Sequence, residues 1–245
     1  MKRSRRVELH IFSPFHFFDS HADEYNVEFF EHFFIDYLRA SEDRSCFRLL
    51  DIGGGNGNFS KELLEVFPNA LPVVIDPSIE MLNLVRDDRI KIVVGYLPDR
   101  LNYSEKADYA HVCNVFHHIV SGSPESSCRL VEGSLEAIYA QLEEGGSLLL
   151  TEVYFESYIE EKLSKYALFL LLKILITLGL TLPFKVFKKD LLVCFYTRKE
   201  LEKMIQKAGF RIIMIQTEEH KISWYNRLFL LKRDGYIFYV CRKET

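Results

Sequence analysis

The sequence predicts an α/β fold in which helices cover both faces of a mostly parallel sheet. Short apolar segments of strand character alternate with helical segments from residue 47 to residue 216, a pattern typical of parallel sheets. A glycine-rich turn at 53–57 joins the first strand to the first helix. The last two strands follow each other without a helix, so one should run antiparallel. A chain of 245 residues fits a single domain, 1–245.

Seven strands and their connecting helices can be placed along the chain. The strands are predicted at 47–52, 71–76, 90–94, 109–113, 147–153, 210–216 and 236–241. The helices are predicted at 60–66, 78–85, 123–143 and 197–209, with a short one through His117 and His118. Ser78 is expected to cap its helix, and Thr197 with Glu200 forms a capping-box pattern. This order predicts a seven-stranded sheet with an antiparallel last strand.

Two further segments accompany the predicted sheet. Residues 1–45 carry aromatic side chains at helical spacing, which predicts a helical N-terminal cover. Residues 155–195 form an insertion after the fifth strand, and its part 166–187 is apolar almost throughout. This stretch approaches the length of a membrane-spanning helix, but Lys173 near its middle argues against insertion across a bilayer.

An acidic residue and three alternate glycines mark the first turn. Asp51 ends the first strand, and Gly53, Gly55 and Gly57 follow. Because glycines let a ligand approach the backbone, the turn predicts a nucleotide-cofactor site. The dinucleotide pattern G-x-G-x-x-G would need a glycine where Asn58 stands. The Asp51 carboxylate would repel a pyrophosphate and attract a cation, although it could instead cap the following helix.

The spacing of this turn resembles the first motif of the class I S-adenosylmethionine (SAM)-dependent methyltransferases. With further segments, the resemblance covers about 17–153 and 196–241 and points to the subgroup that acts on small molecules. It implies a Rossmann-like fold, SAM as the cofactor and S-adenosyl-L-homocysteine as the product. It also implies that Asp51 and the three turn glycines contact the cofactor, with Asp51 beside its amine.

Segments near the N-terminus and after the second strand carry the resemblance further. The sequence at 18–25 resembles a segment that covers the cofactor in this subgroup, which implies a contact at Tyr25. Asp76 stands where the family places an acid that accepts hydrogen bonds from both ribose hydroxyls, and a carboxylate suits a diol. Pro77 follows directly and is a further expected cofactor contact, while a turn role for Asp76 is the alternative.

The segments after the third and fourth strands resemble later motifs of the family. Many members carry an acid that contacts the adenine amine where this chain has Tyr96. Tyr96 or Leu97 is therefore expected to cover the adenine ring. Asn114 begins an Asn-x-x-His-His pattern that recurs in many small-molecule methyltransferases, which implies a cofactor contact at Asn114.

His117 is the candidate catalytic residue. It follows the fourth strand, at the sheet edge where ligands bind in open α/β folds, and histidine can act as a general base near neutral pH. Adjacent helical side chains diverge by about 100°, so at most one of His117 and His118 should face the pocket. The sequence leaves open whether His117 takes a proton or holds the loop. No third residue is spaced to form a metal site with the pair.

The apolar insertion leaves three arrangements open. Part 166–187 can form a lid or wall over the acceptor, contact a second copy, or contact a membrane surface. A lid would favour a lipophilic or aromatic acceptor.

The sequence therefore predicts a SAM-dependent enzyme that methylates a small, apolar or aromatic molecule. The alternatives are a methyltransferase acting on protein or RNA, and a non-catalytic SAM-binding protein. The net charge of −4 gives no general attraction to nucleic acid. Five scattered cysteines without a C-x-x-C pair favour a reducing compartment, so we expect a cytoplasmic location.

Overall fold

The computed structural model describes residues 31–99, 101–180, 191–220 and 231–244. Tyr25, most of the expected N-terminal cover and residues 181–190 of the insertion lie outside the described residues.

The described strands and helices follow the predicted order. The strands are β1 (Arg48–Ile52), β2 (Leu71–Asp76), β3 (Lys91–Val94), β4 (Ala107–Cys113), β5 (Leu142–Ser157), β6 (Phe210–Glu219) and β7 (Leu231–Lys243). The helices are α1 (Glu31–Ser41), α2 (Asn58–Val66), α3 (Ile79–Leu82), α4 (Pro124–Gln141), α5 (Glu161–Thr177) and α6 (Arg198–Lys207). A single 3-10 turn covers Phe116–His118.

The described strands form one seven-stranded sheet in the order β3-β2-β1-β4-β5-β7-β6. The pairs from β3 to β5 are parallel, and β7 runs antiparallel to both of its neighbours. The predicted mostly parallel sheet with an antiparallel last strand is confirmed. Its parallel part brings the carboxyl ends of β1 to β4 to one edge, which is where the candidate site lies.

Helices cover both faces of the sheet, as predicted. On one face, α4, α5 and α6 bury aliphatic side chains against β1, β2, β4, β5 and β7. On the other face, α1 and α2 pack on the sheet through Phe34, Leu38, Phe59 and Leu63, all at most 3% exposed. Apolar side chains therefore fill both faces of the sheet. The polar side chains of the candidate site lie at the carboxyl edge, between these two layers.

Several predicted boundaries differ from the structure. The helix expected at 78–85 is only Ile79–Leu82, because the chain then tightens into successive turns, with Leu84 N–H bonded to Met81 O at 3.0 Å. Ser78 caps this helix as predicted, accepting from Met81 N–H at 3.1 Å. The fifth strand begins at Leu142, earlier than expected, where it pairs with Ala107 of β4. The far end of β5 and the start of β7 also extend further than expected, because they pair with each other beyond the end of β4.

The insertion helix α5 is tied to α6 through a buried lysine. Lys165 is 4% exposed, and its Nζ lies 3.0 Å from Glu200 Oε1 and 4.5 Å from the centre of the Tyr196 ring. Glu200 Oε2 also accepts from Thr197 N–H at 3.0 Å, which completes the predicted capping box. The Glu200 carboxylate therefore both caps the first turn of α6 and neutralises the charge of Lys165 beneath α5.

We expect Glu200→Ala to lower the free energy of unfolding by about 2–4 kcal/mol, because it removes a helix cap and leaves Lys165 buried without its carboxylate. Glu202→Ala is the matched control on the same helix. Glu202 pairs with Arg198 at the partly exposed surface, so its loss should cost about 0.5 kcal/mol. Urea denaturation of both variants measures the difference. If the free energy of unfolding falls equally in both variants, the pair of Lys165 and Glu200 does not stabilise the fold.

Candidate active site

The candidate site is assembled from four loops at the carboxyl edge of the sheet. They are the glycine turn after β1, the residues after Asp76 at the end of β2, the segment 95–97 after β3, and the segment 114–118 after β4. Their common position follows from the parallel pairing of β1 to β4.

The glycine turn adopts a backbone that other residues rarely adopt. Gly53, Gly55 and Gly57 have φ angles of 72°, 53° and 75°, all in the left-handed region. A Cβ atom on Gly53 would also lie 2.4 Å from Val115 Cγ2, in the loop after β4. The turn therefore packs directly against the loop that carries Asn114 and the histidines.

Asp76 holds the glycine turn to the end of β2. Its two carboxylate oxygens accept from Gly55 N–H at 3.0 Å and from Ser78 N–H at 2.8 Å. The side chain is 8% exposed. Each carboxylate oxygen has two lone pairs, so acceptor capacity remains for the hydroxyls of a diol. Asp76 is thus both a turn residue and a candidate ribose ligand, and Pro77 lies half-buried between it and Ser78.

The loop after β3 lies beside Asp76. Gly95 N–H donates to the Asp76 carbonyl oxygen at 3.1 Å, which places Tyr96 and Leu97 next to the end of β2. Tyr96 is 37% exposed, whereas Leu97 is buried. The backbone therefore places Tyr96 close to the candidate ribose ligand, while Leu97 belongs to the apolar core. The contacts of Tyr96 and Leu97 with the cofactor stay predictions.

Asn114 is held in an unusual conformation at the end of β4. Its φ is 55°, and its N–H donates to the Thr151 carbonyl oxygen at 2.9 Å. The Oδ1 atom is buried and has no hydrogen-bond partner among the described residues. Because buried acceptors in proteins are almost always satisfied, an orphaned one at this edge indicates a place for a ligand donor. Asn114 therefore remains a candidate cofactor contact.

Asp51 lies beneath the glycine turn and is 1% exposed. Its Oδ2 accepts from Ser60 Oγ at 2.8 Å, and its Oδ1 lies 2.9 Å from His111 Nδ1. The His111 ring stacks on Phe59, with centroids 3.7 Å apart. Asp51 is thus engaged by the protein on both oxygens, and a direct contact with the cofactor amine stays a prediction.

His117 is paired with a buried glutamate from the neighbouring strand. Glu152 is fully buried on β5, and its Oε1 lies 2.5 Å from His117 Nδ1. Glu152 Oε2 accepts from Phe116 N–H at 2.8 Å, and Oε1 accepts from Val153 N–H at 2.8 Å. The carboxylate therefore fixes both the imidazole and the backbone of the turn that carries it.

His118 has a different environment from His117. Burial, with a smaller contribution from the His117 ring beside it, keeps the pKa of His118 well below its usual value. The two imidazole centroids are 4.0 Å apart. Burial therefore favours the neutral form of His118, whereas His117 is paired with the buried carboxylate of Glu152.

Sequence reasoning missed two residues of this edge, His111 and Glu152. Each is a titratable residue inside an apolar strand: His111 stands between Ala110 and Val112, and Glu152 follows 148–151. A charged side chain in a buried strand needs a partner. The sequence of these strands therefore predicts that His111 and Glu152 are each paired. The identity of the partner depends on which strands become neighbours.

Comparison with known proteins decides the family. Residues 18–215, more than half of the chain, match the model of a family described as a methyltransferase domain. The chain belongs to this methyltransferase family. The predicted class I methyltransferase fold and SAM as its cofactor are confirmed.

Individual relatives of the methyltransferase are distant. Pluviatolide O-methyltransferase of Sinopodophyllum hexandrum is 29% identical over 105 residues, which is 43% of this chain and 26% of that protein. The chain thus spans about a quarter of the length of the curated relative that it matches.

Two solved structures share the fold along most of their length. The Burkholderia thailandensis 1,6-didemethyltoxoflavin-N1-methyltransferase, with S-adenosylhomocysteine bound, has a TM-score of 0.57 and 18% identity, covering 95% of this chain and 85% of that one. A complex between the Haloferax volcanii Trm112 methyltransferase activator and a methyltransferase gives a TM-score of 0.62 and 14% identity, covering 96% and 98%. At these identities the likeness concerns the fold.

The residues of this edge fit SAM. Asp76 offers a carboxylate to the ribose diol, Asn114 Oδ1 offers a buried acceptor, and Tyr96 offers a partly exposed aromatic side chain in the loop after β3. The described residues include no group of three or more His, Cys, Asp or Glu side chains placed to hold a metal ion. None of the helices in the described ranges is long and apolar enough to cross a membrane.

We expect Asp76→Ala to weaken SAM binding by about 1–3 kcal/mol, because the ribose hydroxyls lose a charged acceptor and the turn loses its hold on Gly55. Glu105→Ala is the control, since Glu105 pairs with Arg48 and Lys91 at the opposite edge of the sheet, where these strands begin. Isothermal titration calorimetry measures both affinities, and circular dichroism checks the fold. If Asp76→Ala binds SAM like the wild type, Asp76 is only a turn residue.

Proposed function

We propose that this methyltransferase transfers a methyl group from SAM to a small, apolar or aromatic acceptor, with His117 as the general base. The observation that carries the proposal is the buried pair of His117 and Glu152, next to the loops that fit the cofactor. The activity and the acceptor class are proposals, supported by family membership and by the chemistry of this pair.

The cofactor would be held by residues from all four loops. Gly53, Gly55 and Gly57 bring backbone close to it, Asp76 accepts from its ribose, and Tyr96 with Leu97 covers its adenine. Asn114 and Pro77 complete the contacts in the described part of the chain. When bound, SAM supplies a methyl group on a positively charged sulfur, which needs no further activation by the protein.

His117 would remove a proton from the acceptor. The Glu152 carboxylate accepts a hydrogen bond from Nδ1–H, which leaves the Nε2 lone pair free to take a proton from a hydroxyl or an amine. Glu152 also stabilises the imidazolium that results. Because Glu152 is itself held by Phe116 N–H and Val153 N–H, the imidazole needs little reorganisation.

The surroundings of His117 favour an apolar acceptor. The Phe195 ring stacks on His117 with centroids 5.6 Å apart, and Cys194 N–H donates to the His117 carbonyl oxygen at 2.9 Å. Both residues lie in the part of the insertion that follows residue 190. The same buried cluster contains Phe169 and Leu172 of α5. These contacts support the lid or pocket-wall interpretation of the insertion.

The alternatives have less support. A protein or RNA substrate would need a complementary surface, and the net charge of −4 gives no general attraction to RNA. A non-catalytic SAM-binding protein would not require a histidine paired with a buried glutamate. The name of the relative pluviatolide O-methyltransferase describes methyl transfer to oxygen. A base beside a hydroxyl acceptor agrees with such a reaction, although the name describes only that relative.

We expect one molecule of SAM to bind per chain with a dissociation constant on the order of 1 μM. NADH should not compete, because the turn lacks the dinucleotide spacing. Calorimetry with each ligand measures this directly. Turnover is then followed as S-adenosylhomocysteine release with a panel of small phenols, amines and thiols. SAM binding without turnover on small molecules, protein or RNA would favour the non-catalytic alternative, and NAD binding without SAM binding would overturn the assignment.

We expect His117→Gln to lower kcat by about 10²–10⁴-fold while the SAM dissociation constant changes less than about twofold. His118→Gln is the matched control, because it removes the neighbouring imidazole and leaves the pair of His117 and Glu152 intact. Glu152→Gln should lower kcat less and shift its pH dependence, since the amide keeps the shape but loses the charge. If both histidine variants lose the same activity, His117 only holds the loop.

A further inference from the structure

Two buried oxygen atoms beside the end of β4 have no hydrogen-bond partner among the described residues. They are Asn114 Oδ1 and Thr151 Oγ1, and the whole Thr151 side chain is buried. Buried polar atoms in proteins are almost always paired, because an unpaired one has lost its bonds to water without replacement. Two such atoms in neighbouring residues therefore indicate a place for a polar group of a ligand.

The two side chains lie on the same face of the sheet. Asn114 N–H donates to the Thr151 carbonyl oxygen at 2.9 Å, so the two residues are side by side. Cys113 stands opposite Thr151 in the register of β4 and β5, and paired residues point to the same face. Asn114 Nδ2 donates to Cys113 Sγ at 3.7 Å, so the left-handed backbone of Asn114 turns its amide back to that face. We call Asn114 Oδ1 and Thr151 Oγ1 the oxygen pair.

The oxygen pair lies away from the residues that are expected to hold the adenosine part of SAM. In the sheet, β5 is two strands from β1 and three strands from β2. Because neighbouring strands are about 4.8 Å apart, Thr151 is roughly 14 Å from the strand that ends at Asp76. The ribose is expected at Asp76 and the adenine at Tyr96, so the methyl group and its acceptor are expected toward β4 and β5.

Aromatic side chains of β7 and α1 border the oxygen pair. Phe238 of β7 stands opposite Thr151 and belongs to the apolar layer that α1 and α2 cover. The centroids of the Phe238 and Phe33 rings are 5.0 Å apart. Tyr236 lies two residues earlier on β7, packs against the same layer and is half-buried. A ligand group at the oxygen pair would therefore belong to an apolar or aromatic molecule.

The chemistry of the oxygen pair suits a neutral hydroxyl group. Asn114 Oδ1 can only accept a hydrogen bond, whereas the Thr151 hydroxyl can also donate one. A ligand hydroxyl can donate to Asn114 Oδ1 and accept from Thr151, which satisfies both atoms. A carboxylate has no donor for Asn114 Oδ1. An ammonium group could donate to both oxygens, so the ammonium of the cofactor is the alternative source of a donor.

We propose that Asn114 and Thr151 bind a hydroxyl group of the methyl acceptor other than the group that is methylated. Thr151 and Glu152 are consecutive in β5 and point to opposite faces, which separates the oxygen pair from His117, the partner of Glu152. The acceptor then spans the carboxyl edge, with its reacting group at His117 and a second hydroxyl at the oxygen pair. This inference rests on the proposed function and narrows the acceptor to an aromatic molecule with two polar groups.

The experiment measures binding to the complex of the full chain with S-adenosylhomocysteine, so methyl transfer is not required. The probes are the isomeric dihydroxynaphthalenes, and the two naphthols are matched compounds that lack the second hydroxyl. At least one dihydroxynaphthalene should bind about 5–10-fold tighter than either naphthol in calorimetry, because its second hydroxyl gains buried partners. Turnover is measured separately, so failure of the proposed function and failure of this subsite give different results.

Thr151→Val removes the hydroxyl and should reduce the preference for the dihydroxynaphthalene at least about threefold, whereas Thr151→Ser should keep it. The melting temperature of Thr151→Val should not fall, because the lost hydroxyl has no partner among the described residues. Its dissociation constant for SAM should change less than about twofold. Asn114→Gly suits the φ of 55° and should also reduce the preference. Thr217→Val is the matched control, because it makes the same change at an exposed position of β6.

Three results would overturn the proposal. The first is a wild type that binds the dihydroxynaphthalenes and the naphthols equally, or binds none of them. The second is an unchanged preference in Thr151→Val. The third is a Thr151→Val variant that binds SAM at least about fivefold more weakly. In that case the oxygen pair holds the ammonium group of the cofactor, and the assignment to the acceptor is wrong.

Discussion

Three buried carboxylates hold the loops of the carboxyl edge in place. Asp51 joins β1 to α2 and β4, Asp76 joins β2 to the glycine turn, and Glu152 joins β5 to the loop after β4. An unpaired carboxylate in such a place would cost several kcal/mol, so each loop must keep its donor in position. The loops of this edge are thus held by the hydrogen bonds of buried carboxylates as well as by apolar packing.

The carboxylates can act this way because the strands are parallel. Parallel pairing of β1, β2 and β4 puts every strand end on the same side, and the register of β4 with β5 places Cys113 opposite Thr151. Glu152 is then one residue beyond the last pair, level with the loop that carries His117. A shift of one residue in that register would move Glu152 to the other face of the sheet. The candidate base therefore depends on strand pairing as much as on its own sequence position.

Much of this arrangement could be predicted locally. The glycine turn, the Ser78 cap and the capping box of Thr197 and Glu200 depend on neighbouring residues, and each is present as predicted. The partners of His111 and His117 are 60 and 35 residues away, so they depend on sheet order, which the local pattern does not encode. The same holds for Lys165, whose carboxylate comes from a later helix.

The buried side of α5 and the lengths of β5 and β7 were even harder to predict from the sequence. The apolar run around α5 contains leucines on every side, so periodicity alone could not tell which side is buried. Lys165 distinguishes the sides, because it must point toward Glu200 and Tyr196, and this contact becomes visible only with α6 in place. The extra length of β5 and β7 likewise arises from their mutual pairing, since the outer half of β5 has lost β4 as a neighbour.

β5 and β7 extend beyond the end of β4, and this extension sets the distance between the parallel part of the sheet and the start of α5. Beyond Thr151, β5 continues as a ribbon with β7, which β6 accompanies as far as Gly235, and α5 starts shortly after the end of β5. Side chains alternate along a strand with a period of two, so adding or removing residues in matched pairs on both strands would change the ribbon's reach without exchanging its faces. A single-residue change would invert every side chain beyond it. Evolution or engineering can therefore shift the start of α5 along the strand direction only in steps of about 7 Å.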